Sequence, residues 1–209
     1  TNFSLTNTSP PMFTACPTSQ TVNAASGQCT ASVSFNPVAS GFPAPSITCK
    51  IGATTITSPH NFPVGTSNVV CTASNGLAPD ATCNFAVTVN DAQAPIIACP
   101  ANLFLTTAGT LATTTWNPPT VGDNCSGVGA PVCSPASGSS FNVGVTTVTC
   151  SVTDAANNST SCSFAVTVNK VSGSAVDPLL CTGPGNTVQA TLVISNNGNV
   201  NQTVANTTT

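Results

Sequence analysis

The sequence predicts an all-β protein of tandem, disulfide-stapled sandwich domains on three observations: an internal repeat, apolar residues alternating within each copy, and eleven cysteines in 209 residues. The repeat runs from Ala15 to Asn90 and again from Ala98 to Asn169. Its closing segment is nearly verbatim, Thr82-Cys-Asn-Phe-Ala-Val-Thr-Val-Asn90 against Ser161-Cys-Ser-Phe-Ala-Val-Thr-Val-Asn169, and such self-similarity marks a repeated structural unit. Phe85, Val87 and Val89, like Phe164, Val166 and Val168, recur with the period of a half-buried strand. Abundant Thr and Val suit a pleated surface, and 17 Pro and 15 Gly punctuate it with turns. Cysteines at this density point to an oxidising compartment, so the expected location is extracellular, either secreted or at the cell surface.

Composition excludes most other functions. Only 3% of residues are charged, against about 25% in an ordinary soluble domain. The cations are Lys50 and Lys170, and Arg, Glu and Tyr are absent. Nucleic-acid binding needs many phosphate-neutralising cations, and a polybasic membrane anchor needs the same. General acid/base chemistry draws on His, Glu, Asp, Lys or Tyr, so one His and scattered Asp residues predict no enzyme, no catalytic residues and no cofactor. No apolar run approaches the ~18 residues of a transmembrane helix. No charged segment followed by an apolar one opens the chain, and a signal peptide is expected to have been removed already. Asn2, Asn7, Asn124, Asn157, Asn158, Asn201 and Asn206 head Asn-x-Ser/Thr triplets, which are glycan acceptors in a host with that machinery.

In chain order, residues 1–14 are an N-terminal extension in which Phe3 and Leu5 alternate with polar residues until Pro10-Pro11 breaks the run. A frayed terminus or an added strand on its own domain is one reading. The other makes Phe3 and Leu5 donor-strand candidates, since an extended segment can complete the open sheet of another subunit. Head-to-tail donation does not close on itself and so builds a filament. Residues 15–91 form the first domain, where Phe62-Pro-Val-Gly65 reads as a turn with His60 in a loop before it; a single His lacks the co-ligands of a metal site. Asn90-Asp-Ala-Gln-Ala-Pro95 is a short linker.

Residues 96–169 form the second domain. Trp116 sits in an alternating Thr-rich strand where the first copy has Phe35, which predicts core packing over a sugar-stacking platform. Asp154-Ala-Ala-Asn-Asn158 reads as a hairpin turn. Asp91, Asp123 and Asp154 are the oxygen ligands available to calcium, but no Asp-x-Asp cluster accompanies them, and turn capping accounts for Asp123 and Asp154; no metal site is predicted. Residues 170–209 comprise a linker and a partial third domain. Val188, Ala190, Leu192 and Ile194 share one face of a strand, followed by a turn at Asn196-Asn197-Gly198-Asn199. Too few strands follow to close a sandwich, and an unpaired apolar edge needs cover. These four residues are the acceptor-strand candidates, covered by chain beyond Thr209 or by a neighbouring molecule.

Both copies resemble hyalin repeat (HYR) domains over roughly residues 15 to 169. The resemblance rests on Cys16-Pro17 and Cys99-Pro100, Gly27-Gln28-Cys29, Asp123-Asn124-Cys125, Phe62-Pro63-Val64-Gly65 with Phe141-Asn142-Val143-Gly144, Thr153-Asp154-Ala155-Ala156-Asn157, and the closing Cys-x-Phe-x-Val-x-Val. It implies immunoglobulin-like sandwiches in an extracellular, adhesion-associated setting, and it brings no catalytic residues. The tail resembles the early strands of another immunoglobulin-like module of bacterial surface proteins.

Against the six-cysteine form of that family, the first copy lacks the Asp-Asn-Cys cysteine and the second has Leu111 where Cys29 falls in the first. The shared cysteines are Cys16, Cys49, Cys71 and Cys83 with counterparts Cys99, Cys133, Cys150 and Cys162. One connectivity pairs Cys16 with Cys83, Cys49 with Cys71, Cys99 with Cys162 and Cys133 with Cys150. The alternative pairs Cys71 with Cys83 and Cys150 with Cys162, and sequence does not decide between them. Cys29, Cys125 and Cys181 are left over, as buried free thiols or as bonds between domains or subunits.

The expected function is an extracellular structural subunit of a surface filament or stalk, a homopolymer assembling head to tail. The alternatives are an adhesive module recognising a glycan or a cell-surface ligand, and an accessory domain of a secreted hydrolase.

Overall fold

In the computed structural model, residues 8–173, 191–195 and 202–205 are described. The protein is all-β, a tandem of disulfide-stapled immunoglobulin-like units, with no helix among the described residues. Contacts group the chain into two units, Thr1–Gln93 with Asp123–Gly127, and Ala94–Gly122 with Val128–Thr209.

The first unit contains β1 (Ser9–Ala15), β2 (Gln20–Asn23), β3 (Thr30–Val33), β4 (Val38–Phe42), β5 (Ser46–Ile51), β6 (Thr54–Ile56), β7 (His60–Pro63), β8 (Gly65–Ser74) and β9 (Ala81–Asn90). A five-stranded sheet runs β2-β9-β8-β5-β6, and the pairs β1-β4 and β3-β7 complete the unit. Period-2 alternation sends Val69, Cys71 and Ala73 of β8 and Cys83, Phe85, Val87 and Val89 of β9 inward. There all of them but Ala73 meet Ala31 and Val33 of β3 and Phe62 of β7 in one core. Burying a Val or Phe side chain contributes about 1.5–3 kcal/mol, so this hairpin with its facing strands supplies much of the unit's hydrophobic stabilisation. Phe35 packs between Phe62 and Phe85, with ring centroids 6.4 and 5.4 Å away. The glycine ending the Phe-Pro-Val-Gly turn adopts φ +106° at Gly65, and its counterpart Gly144 adopts +125°, a region that disfavours a Cβ.

The second unit contains β10 (Ile96–Ala98), β11 (Leu103–Thr107), β12 (Leu111–Thr113), β13 (Thr120–Gly122), β14 (Val132–Ser134), β15 (Ser140–Asn142), β16 (Gly144–Thr153), β17 (Ser159–Gly173), β18 (Thr191–Ser195) and β19 (Gln202–Ala205). The sheet order β14-β16-β17, with β11 parallel to β17, repeats the β5-β8-β9 order and the parallel β2-β9 pair of the first unit. Phe141, Val148, Cys150, Phe164, Val166 and Val168 form its core.

Several expectations are corrected. Within the segment 1–14, one of whose two readings was an added strand on its own domain, Ser9–Ala15 is a strand paired with β4. Pro10 and Pro11 do not break it: β1 pairs on one side only and has a register shift between Ser9 and Met12, an edge position where the missing N–H is tolerated. His60 belongs to β7, paired with Val33, and its ring meets Phe62 edge-on at 4.9 Å. Trp116 is not in a strand, since β12 stops at Thr113. At the other end, β17 runs through Lys170 to Gly173, so the linker does not begin at residue 170.

The tail also differs from expectation. β18, which carries Leu192 and Ile194, pairs with the end of β17 and with β19. The chain itself fills both sides of this strand, so Leu192 and Ile194 do not mark an open acceptor edge. Phe3, Leu5, Val188, Ala190, Cys181 and the turn at 196–199 lie outside the described residues.

Candidate functional site

The cysteines occupy consecutive positions across each sheet. Cys49, Cys71 and Cys83 are register partners on β5, β8 and β9, and Cys133, Cys150 and Cys162 repeat the row on β14, β16 and β17. The middle cysteine of each row therefore has a neighbour on both sides, which is why sequence left two pairings open. The structure bonds Cys49 to Cys71 and Cys133 to Cys150, with Cα atoms 3.9 and 4.0 Å apart. Cys83 bonds to Cys16 and Cys162 to Cys99, each across 5.8 Å between Cα atoms. These bridges tie the chain near the start of each repeat to its last strand.

A fifth bridge joins Cys29 of the first repeat to Cys125 of the second, so neither is a buried free thiol and the bond between repeats is the reading that fits. The segment Asp123–Gly127 comes from the second repeat in sequence but belongs to the first unit in space. Asn124 Nδ2 donates to the Gln28 carbonyl oxygen at 2.9 Å, and the Gly27 N–H donates to Gln93 Oε1 at 2.9 Å. The sequence held a signal for this bridge. The two copies lack different members of the family's cysteine set, and complementary losses are what a bridge shared between copies leaves behind.

Beside this bridge, carboxylate oxygens of Asp91 and Asp123 and the Cys125 sulfur all lie within 4.8 Å of one another. The sulfur is committed to Cys29, leaving oxygen ligands. Asp123 Oδ2 accepts from the Cys125 N–H at 3.1 Å, whereas Asp123 Oδ1 and Asn124 Oδ1 are buried with no hydrogen-bond partner. An adjoining cavity of about 310 Å³ is lined by Asp91, Gln93, Asn124 and Ser26. Two carboxylates and an amide oxygen fall short of the roughly 6–8 oxygens that calcium takes.

Asp154 has a different role. Its Oδ1 accepts from the N–H groups of Ala156 and Asn158 at 2.9 and 2.8 Å, and its Oδ2 from Asn158 Nδ2 at 2.9 Å. Burial pushes the carboxyl up, but bonds from the Asn158 side chain and from the N–H groups of Asn158, Ala156 and Asn157 hold it below the ordinary aspartate value. The hairpin turn places Asn157 at φ 70°, a conformation Asn tolerates.

Trp116 packs against Phe164 and Phe141, with ring centroids 5.2 and 6.2 Å away. The backbone N–H of Trp116 donates to Ser137 Oγ at 2.9 Å, as the backbone N–H of Phe35 donates to Ser58 Oγ. The indole remains half-buried and walls a cavity of about 270 Å³ with Pro118, Pro119, Pro131, Cys133 and Ala136. Phe104 and Val145 flank Thr167 on the outer face of the same unit and are 72% and 71% exposed.

Residues 6–89 and 90–168 each match the family model described as HYR domain. Among solved structures, an I-band fragment of titin is 15% identical, with 78% of this chain and 66% of that chain covered at a TM-score of 0.39. The N-terminal Ig1-2 module of Drosophila Receptor Protein Tyrosine Phosphatase DLAR is 14% identical, with 76% of this chain and 98% of that chain covered at 0.32. Sidekick-1 immunoglobulin domains 1-4 are 12% identical over 80% of this chain and 51% of that chain, at 0.40.

Proposed function

The chain belongs to the HYR domain family, in two tandem copies, and on that premise we propose that it is an extracellular structural subunit of a surface filament or stalk. The observation that carries the reading is the cystine framework: each small unit is closed by its own bridges between early and late chain. Disulfides suit domains whose cores are too small to secure them alone. Almost no Lys or Arg is present, which leaves trypsin-like proteases two cleavage points and favours durability over chemistry. The protein's role in this account is mechanical and non-catalytic. Self-assembly runs head to tail by strand donation from the segment holding Phe3 and Leu5, with an acceptor other than β18.

An adhesive module is the second reading, favoured by the exposed Phe104 and Val145. Light scattering of the full, non-reduced chain across a concentration series separates the two. The filament reading expects mass to rise with concentration into open-ended polymers; a constant monomer mass with saturable binding to a glycan or cell-surface protein overturns it in favour of adhesion.

A further inference from the structure

Among the described residues the β14 edge of the second unit has no strand beyond it and an apolar cavity lies beside it, and the first unit shows what such an edge takes. β5 and β14 are counterparts, each joined by a cystine to the middle strand of its sheet. In the first unit β6 pairs along the outer edge of β5, setting Ile56 opposite Cys49, and Ile56 is 6% exposed in the core. Among the described residues the second unit has no such strand. The chain reaches Ser137 four residues after Cys133, against nine from Cys49 to Ser58, and β14 pairs only with β16 among the described residues. The cavity of about 270 Å³ lies among Cys133, Trp116 and Ser137, the counterparts of Cys49, Phe35 and Ser58. Cys49 is buried and Cys133 only half-buried, as the loss of a covering strand requires.

The backbone of β14 is also turned outward. A Cα separation of 4.0 Å across Cys133–Cys150 marks a non-hydrogen-bonded pair. The N–H and C=O of Cys133 therefore point away from β16, to the side where Cys49 meets Ile56. No described residue pairs with them there.

We propose that the β14 edge is an acceptor for one extended strand, whose aliphatic or aromatic side chain enters the Trp116 cavity as Ile56 enters the core of the first unit, and that the occupant is the segment 1–7 of a second copy. For its occupant the proposal rests on the head-to-tail reading above. The segment Thr-Asn-Phe-Ser-Leu-Thr-Asn precedes β1, carries no charged side chain, and alternates Phe3 and Leu5. At about 3.3 Å per residue it is long enough to lay a three-residue strand like β6 along β14 with chain to spare. In antiparallel register, Phe3 opposite Cys133 sets Leu5 opposite Pro131. Both partners line the cavity, and no charge opposes entry.

Trp116 is the sole tryptophan, so its fluorescence reports the cavity. The test uses the full chain with Phe3→Ser and Leu5→Ser, and a synthetic peptide of residues 1–7 as probe. The expected result is a saturable blue shift, with affinity about ten- to a hundredfold weaker for a peptide carrying the same two serines, and loss of the shift when Ala136→Phe fills the cavity. Circular dichroism checks that the Ala136→Phe chain is folded, while the serine peptide controls for the cavity without altering the protein. No shift up to about 1 mM peptide, the weak end of specific binding, or equal shifts with both peptides, overturns the proposal. Light scattering keeps the two readings apart. Polymers that persist in the Phe3→Ser, Leu5→Ser chain leave the filament reading standing and overturn this edge as its acceptor. Specific peptide binding by a chain that stays monomeric supports the edge and overturns the filament.

Discussion

At matching register positions the two units carry different chemistry. The loop joining β8 to β9 is held by Asn75, whose Nδ2 donates to the carbonyl oxygens of Ser9 and Pro43 at 2.9 Å. The loop joining β16 to β17 is held by Asp154, its counterpart, as an acceptor of N–H groups. Across the outer face, Thr21, Thr88 and Thr66 lie in one row of the first unit, with a 3.1 Å hydroxyl contact between Thr66 and Thr88. The same row of the second reads Phe104, Thr167 and Val145. Inside, among the described residues, twelve buried residues form the first core and six the second. The frame of strands and cystines is thus independent of what fills it. Among the described residues the second unit has the smaller buried core and the apolar outer row, and on that basis its bridges are expected to carry the larger share of its stability.

The largest effect should come from those bridges. Removing Cys99–Cys162 by paired Cys→Ala substitutions costs about 4 kcal/mol on loop-closure grounds, a large share of a small domain's ~5–15 kcal/mol. Calorimetry should show the second unit melting first, while the equivalent Cys16–Cys83 replacement leaves the first unit folded at 25 °C. Loss of both units together would break the comparison. Next, Ile56→Ala should cost the first unit about 2–5 kcal/mol as a buried cavity, read as a drop in denaturation midpoint. A cost under about 1 kcal/mol would mean that β6 contributes little burial, and the contrast with the second unit would lose its basis.

Acid should separate the units as well. Because the folded carboxyl of Asp154 lies below the ordinary value of 3.8, its stabilisation is full above that pH and is lost as pH falls through the lower folded value. Asp154→Asn should lower the melting temperature of the second unit at pH 7 and have a shrinking effect below about pH 3.9. The first unit, with Asn75 in that position, should show no matching acid-dependent loss. The smallest effect is on the outer face: Phe104→Thr with Val145→Thr should change stability by no more than about 0.5 kcal/mol, while reducing any association that uses that face.

Much of this was legible in the chain. Strict alternation at Phe85–Val89 and Phe164–Val168 marked the inner faces because a strand's period is 2. The repeat aligned the units, and the shared cysteines marked its fixed points. Other features were hidden for physical reasons. Pro10 and Pro11 read as a break because pattern alone cannot show that β1 is an edge. For Cys29 and Cys125 a bond between domains was one of two readings, and their pairing was hidden because contact in space, not repeat order, assigns Asp123–Gly127 to the first unit. The β14 edge left unpaired among the described residues goes with a shorter connection, visible only when Cys133 to Ser137 is compared with Cys49 to Ser58. His60 looked like a loop residue because nothing local shows that Val33, 27 positions away, is its strand partner.

The most direct test of the central claim is electron microscopy of the full, non-reduced chain after concentration. The account predicts unbranched fibres with an axial repeat near the length of one subunit, absent from the Phe3→Ser, Leu5→Ser chain. Dispersed particles of monomer size at every concentration would contradict it.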